Sequence, residues 1–272
     1  MLESSRLHPA LERVLTGAMP QGAAPAVRHA LGLEEIDRTL GGGLVQGRLH
    51  EVFAQDGPDE AGATAFAMML ALCLTRTACA APLLWLREER TQRKAALNGP
   101  GLVDLGCDPA RLILGVLPDV RAVLRAGADA LRCAALGAVI LELDGNPPLL
   151  DLTASRRFAL AAEESGVTPL LLRLRGARPS PSAAQTRWQV ACAPSVPLEA
   201  GAPGHPALTL SLLRQRGGPA GFDWTVEWNR DAACFRQPAL PGAQLPLSGG
   251  GPVPYVGTGR ETGGDDGWRI AV

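Results

Sequence analysis

Apolar and polar positions switch repeatedly between two periods along this chain. Leu33, Ile36 and Leu40 share one helical face, and the glycines at 41–43 stop it, so 28–44 reads as a short helix between turns. Residues 48–53 alternate and read as a strand. The same reasoning predicts helices over 61–75, 90–106, 119–136 and 153–165. Between them, 82–86, 111–116, 138–143 and 168–174 read as strands, several of them apolar at nearly every position. A strand apolar on both faces is covered on both faces. Alternating strands and helices of this kind imply an α/β fold, a mainly parallel sheet flanked by helices.

After 186 the pattern changes. Residues 187–192, 207–214 and 224–228 read as strands with no long helix between them, which predicts a C-terminal antiparallel extension of the same sheet. Before 28, Leu7, Leu11 and Leu15 recur at helical spacing and a Gly/Ala/Pro stretch follows. From about 238 the chain is rich in Gly and Pro with little periodicity. The expected organisation is a helical arm and linker over 1–27, a core domain over 28–236 and a Gly/Pro-rich tail over 237–272.

Composition narrows the function. The chain has 272 residues, 26 basic and 27 acidic, so no overall charge draws it to nucleic acid or to an anionic membrane. Only Lys94 is a lysine; phosphate or carboxylate recognition therefore falls to arginine. The longest apolar stretch, about 61–76, is too short to span a bilayer, and the N-terminus lacks the apolar segment of a signal peptide, so the expected compartment is the cytoplasm. Six cysteines form no CxxC pair and four histidines are scattered, which predicts buried reduced thiols and no metal site.

The chemistry-bearing motif is GPDEAGAT at 57–64. A phosphate loop has the form GxxxxGK[ST] between a strand and a helix. Gly57 and Gly62 stand at the right separation, and Thr64 takes the place of the magnesium-binding hydroxyl. The lysine is replaced by Ala63, and Asp56, Asp59 and Glu60 crowd the loop with negative charge. That composition opposes a triphosphate. A glycine-rich strand–helix turn with no link to ATP also fits this octet. Phosphate-loop ATPases carry an acidic residue at the end of another apolar strand. Here 138–143 ends at Glu142 and Asp144, and Glu88 follows the strand 82–86, where it can orient a water. Together they read as an ATPase framework without its lysine: no catalytic residue, no metal and no cofactor are expected, with ATP and magnesium as the alternative through Arg90 or Lys94.

These segments resemble a known family. RHALGLEEIDRTLGGGLVQGRLHEVF at 28–53 is similar to the entry of the RecA core. DLTASRRFALAAEESGVTPLLLRLRG at 151–176, AAQTRWQVACAPS at 183–195 and LTLSLLRQRGG at 208–218 resemble the ImuA family of bacterial proteins. The resemblance runs from about 28 to 230. It implies a RecA-like fold without assured ATPase activity, in an SOS-inducible mutagenesis cassette. It also implies an ImuB-like, Y-family-related partner and an error-prone polymerase subunit, acting together in synthesis across damaged DNA.

By analogy with RecA, the loops at 144–150 and 176–185 are where single-stranded DNA would be met. They hold one basic residue, Arg178, which is too few for a phosphate-tracking groove. Arg156, Arg157, Arg173, Arg175 and Arg187, with Trp188, are the nearby interaction candidates, together with Arg214 and Arg216. Arginine forks grip either phosphates or a partner's carboxylates, and the near-zero net charge favours a protein partner, ImuB-like or RecA. The plainer reading makes Arg156 and Arg157 a solvated helix start and Trp188 core. Three functions compete: a non-catalytic adaptor, a divergent ATPase and a direct single-stranded-DNA binder.

Overall fold

A computed structural model describes residues 26–76, 81–198 and 202–238. The chain divides into two units, Met1–Pro238 and Ala239–Val272; the second, like the N-terminal leucine repeat, lies outside the described residues.

The entry segment forms β1 (Arg28–His29), α1 (Glu34–Thr39) and β2 (Leu44–Val45), with β1 and β2 paired antiparallel. Asp37 accepts hydrogen bonds from the backbone N–H of Leu31 (2.7 Å) and Gly32 (3.0 Å), which closes the turn into α1. Gly41, Gly42 and Gly43 all take positive φ, so the turn back to β2 needs glycine. A Cβ on Gly43 would come within 2.3 Å of His29 O.

The main sheet has nine strands in the order β11-β10-β9-β8-β3-β7-β6-β4-β5. Its parallel half comprises β3 (His50–Ala54), β4 (Leu83–Glu88), β5 (Leu112–Leu117), β6 (Ala138–Asp144), β7 (Thr168–Leu174) and β8 (Thr186–Cys192). Its antiparallel half adds β9 (Ala207–Gln215), β10 (Phe222–Asn229) and β11 (Cys234–Arg236). This is the predicted α/β architecture with its antiparallel extension.

Helices cover both faces, and the apolar strands show why. On β6, Ile140 packs into one core while Val139, Leu141 and Leu143 pack into the other. The first core is built around α2 (Glu60–Thr75), which is buried continuously from Phe66 to Thr75. Its burial on all sides explains the long apolar run in the sequence. Phe66 meets the rings of Trp188 (5.8 Å between centroids) and Phe235 (5.6 Å). The second core lies under α5 (Val120–Ala130) and α6 (Leu152–Ser165), capped by Asp119 and Asp151. The predicted helix 90–106 is two short helices, α3 (Glu89–Lys94) and α4 (Gly99–Asp104), because Asn98 caps the second and Pro100 cannot continue the first. At the outer edge, β5 leaves Ile113 50%, Leu114 40% and Val116 42% exposed. No helix among the described residues is long and apolar enough to cross a membrane.

Candidate functional site

In open parallel sheets ligands collect beyond the C-terminal strand ends. Here that edge is formed by the ends of β3, β4, β6, β7 and β8. The octet 57–64 follows β3 as expected, but it is wound up. Gly57–Asp59 is a 3₁₀ turn, and α2 begins at once with Glu60. Neither Gly57 nor Gly62 takes a positive φ. Ala63 is fully buried, and Thr64 Oγ1 donates to Glu60 O (2.7 Å), inside the helix. A Cβ on Gly62 would stand 2.8 Å from Cys192 Sγ, so this glycine lets α2 approach β8. The expectation of buried thiols holds for Cys73 and Cys107 but not for Cys133 and Cys192, which are exposed; the partial burial of Cys192 beside α2 still pushes its thiol up, with Asp59 acting in the same direction.

The acidic residues of the loop are occupied by the chain itself. Asp59 Oδ1 accepts from Cys192 N (2.8 Å) and its Oδ2 from Asp56 N (3.2 Å). Glu60 Oε1 accepts from Arg175 N (2.8 Å), and its Oε2 is 3.8 Å from Arg175 Nη1. Arg175 holds a positive φ of 53° at the end of β7, a conformation a non-glycine residue adopts only when its surroundings fix it. Its Nε lies 2.8 Å from Asp144 Oδ2, a charge contact rather than an aligned hydrogen bond.

The other strand-end acids are held the same way. Glu142 is buried and accepts from Trp85 Nε1 (2.9 Å) and Arg87 Nη2 (2.8 Å). Arg87 also donates to Gln92 Oε1 and Ala95 O, tying β4 to α3 and its C-cap. Burial pushes the Glu142 carboxyl up, with Arg87 and Trp85 pulling against it. Asp144 Oδ2 accepts from Thr91 Oγ1 (3.1 Å), whereas its buried Oδ1 has no hydrogen-bond partner among the described residues. Glu88 pairs with Arg90 (2.9 Å). Lys94 is exposed at the end of α3, with no ion pair to a described residue. Beside these pairs a groove of about 600 Å³ runs past Pro58, Thr64, Leu97, Leu102 and Leu174.

The predicted arginines separate into four environments. Arg175 belongs to the network just described. Arg173 and Arg187 are buried, with their guanidinium carbons 5.5 and 5.9 Å from the Phe53 ring centroid. Arg187 is paired with Glu51 (2.7 Å) and donates to Ser180 O and Ser182 Oγ. Arg173 donates to Gly145 O and Asn146 Oδ1 and lines a cavity of about 380 Å³ with Gln55 and Gln189. Burial lowers its pKa, Glu51 opposes that shift, and Arg187 adds to it. Trp188 is core, its Nε1 donating to Thr186 Oγ1 (2.8 Å).

The exposed arginines form surfaces. Arg156, Arg214 and Arg216 line a groove of about 550 Å³ with Leu152, Leu160 and Pro181, between α6 and the end of β9. Leu160 is 59% exposed there. The rim is fixed: Arg216 N donates to Gln185 O, and Gln185 Nε2 donates to Arg216 O. Glu163, also in this groove, pairs with Arg48. Arg157 is not part of it; it shares a different groove with Arg121 and Arg125 of α5.

Sequence reasoning missed Glu51, Trp85, Arg87 and the pair Arg121/Arg125. A charged residue inside an apolar strand, as at Glu51 and Arg87, was an available signal for a buried pair. The i,i+4 spacing of Arg121 and Arg125 on an amphipathic helix was another.

No protein-family model matches the chain. Two sequences named Protein ImuA, from two strains of Caulobacter vibrioides, are each 36% identical to it over 200 residues, covering 69% of this chain and 77% of theirs. Among solved structures, the RadB recombinase superposes with a TM-score of 0.52 at 15% identity, covering 76% of this chain and 98% of that one. The parallel half, its antiparallel extension and that superposition make the fold RecA-like. With a third of its aligned residues identical across most of a Protein ImuA sequence, the chain belongs to the ImuA family.

Proposed function

We propose that this chain is a non-catalytic, RecA-like adaptor in the DNA damage (SOS) response. It supports error-prone translesion synthesis by contacting an ImuB-like, Y-family-related protein, an error-prone polymerase subunit and RecA. Single-stranded DNA is reached through these partners. The chain works in the cytoplasm and joins the nucleoid after damage.

One observation supports the reading: the phosphate-loop position borders the groove of about 600 Å³, but its polar groups are engaged by the chain itself. A magnesium nucleotide does not fit the residues there. The loop is helical from Glu60, Ala63 stands in place of the lysine, and Thr64 spends its proton on the helix. Glu60, Glu88, Glu142 and Asp144 each have an arginine of this chain against them. One of the grooves open at the surface carries Arg156, Arg214, Arg216 and Leu160, a mixed apolar and cationic surface of the kind protein partners use.

The test is reconstitution of the full chain with the ImuB-like protein. Replacing Arg156, Arg214 and Arg216 with alanine should weaken the complex at least tenfold and leave the unfolding midpoint in place, since exposed arginines contribute little to folding. Unchanged affinity would remove this face from the reading. Micromolar magnesium-ATP binding with turnover, measured by calorimetry, would replace the adaptor by an ATPase.

A further inference from the structure

Arg156 and Arg157 are neighbours in sequence, but one residue of helical rotation turns them to different grooves. Arg157 faces the cleft between α5 and α6. Gly127 seats α5 directly on the sheet: a Cβ there would fall 2.3 Å from Leu141 Cδ2 and 3.7 Å from Phe158 Cε1. The two helices leave between them a groove of about 220 Å³. Arg121, Arg125 and Arg157 line it together with Leu124, Leu149 and Phe158.

No carboxylate lines this groove, and none of its three arginines forms an ion pair with a described residue. The nearby acids are engaged elsewhere. Asp119 and Asp151 cap the two helices, accepting from Ala122 N and Ala154 N, and Asp129 pairs with Arg132. Arg121 and Arg125 sit at i,i+4, where like charges oppose the helix. Folding therefore gathers three cations around an apolar floor and leaves them uncompensated. Leu149, 45% exposed, forms part of this lining. The volume is below the roughly 300–1,000 Å³ of small-molecule sites, and it suits a single anchoring side chain.

We propose that this groove binds an acidic peptide segment of a protein partner. The segment inserts one leucine or phenylalanine between Leu124, Leu149 and Phe158, and its carboxylates on either side meet the three arginines. Nucleic acid is the less suitable occupant, because the one aromatic residue of the lining, Phe158, is buried and offers no exposed ring on which a base could stack. The site is separate from the Arg156/Arg214/Arg216 face and stands or falls independently of it.

The experiment selects a random 12-residue peptide display library on the immobilised full chain. Enriched peptides are then synthesised with fluorescein and measured by anisotropy. Peptides with at least two acidic residues flanking Leu or Phe are expected. Their affinity should fall at least tenfold in the Arg121→Gln/Arg125→Gln/Arg157→Gln variant, and as much in Leu149→Glu, which places a carboxylate in the groove. Arg156→Gln should change it less than twofold. All these positions are exposed, so unchanged thermal midpoints establish that the variants fold. The proposal is overturned if selection shows no acidic bias, or if the peptides bind the triple variant as well as the wild type. It is also overturned if fluorescein-labelled oligothymidylate, and not the peptides, loses affinity in that variant; the groove would then belong to nucleic acid.

Discussion

If Glu142 is part of the fold rather than of a nucleotide site, removing its partner should unfold the protein more readily than removing both. Arg87 and Glu142 have side chains 3% and 2% exposed and lie 2.8 Å apart. Taking a single member from such a pair leaves an uncompensated buried charge, at about 3–5 kcal/mol. Arg87→Met should therefore lower stability by about 4 kcal/mol, a large part of the roughly 5–15 kcal/mol that holds a domain together. With a urea slope of about 2 kcal/mol per molar, the midpoint falls by about 2 M. Glu142→Gln can still accept from Trp85 Nε1 but leaves the Arg87 guanidinium buried with only the neutral partners Gln92 and Ala95, at about 3 kcal/mol. The double change Arg87→Met/Glu142→Gln, which keeps an acceptor for Trp85 Nε1, should return to within about 1–2 kcal/mol of wild type, because desolvation of two charges no longer has to be offset. A pH arm adds an independent reading. Burial already raises the Glu142 carboxyl, and without Arg87 it rises further. A carboxyl raised in the folded state stabilises below its unfolded pKa and loses that contribution as pH rises through the folded value. Arg87→Met should therefore be closest to wild type in mild acid and furthest from it in mild base. Urea unfolding followed by far-ultraviolet circular dichroism measures all four proteins. If Arg87→Met costs less than about 1 kcal/mol, or if the two single changes add up in the double variant, the pair is not the coupled structural unit described here.

Ala63→Lys should not confer ATP hydrolysis, because the added side chain starts from a fully buried position in a formed helix; it should instead destabilise by about 1–3 kcal/mol, and phosphate release at rates ordinary for phosphate-loop enzymes would contradict this. Burial lowers the His50 imidazole from 6.5 to about 4, against its bond to Val45 O. Its stabilising contribution is thus complete above 6.5 and disappears as pH falls through about 4; the wild-type advantage over His50→Gln in urea should shrink by about 3 kcal/mol across that window, and a constant difference would show that the histidine titrates normally. A chain ending at Pro238 should keep a cooperative unfolding transition, and its loss would place the tail within the core.

The strands 138–144 and 168–174 were legible because burial on both faces leaves a continuous apolar run. The break between α3 and α4 was present as Asn98-Gly99-Pro100, but the polar face around it carried the helical reading through. The short β11 carries too few residues for alternation to register. The arginines were less readable, for a physical reason. Nothing local separates Arg187, which pairs with a glutamate 136 positions earlier, from Arg156, which meets solvent. Whether a guanidinium is structural or available depends on which carboxylate the topology delivers to it. The degenerate loop was visible in composition; its winding into α2 depended on Asp59 and Glu60 finding partners on β8 and beyond β7.

The strand order also sets a timetable for synthesis. β3 leaves the ribosome early, yet its two neighbours, β7 and β8, are made more than a hundred residues later. The buried helix α2 follows β3 directly and spends that interval without the strands that cover it. Pairings so distant in sequence slow folding and prolong the exposure of apolar segments. The central sheet therefore closes only after residue 192 has been translated. Until then the stretch from Phe66 to Leu74 lacks β7 and β8, two of the strands it packs against in the finished fold.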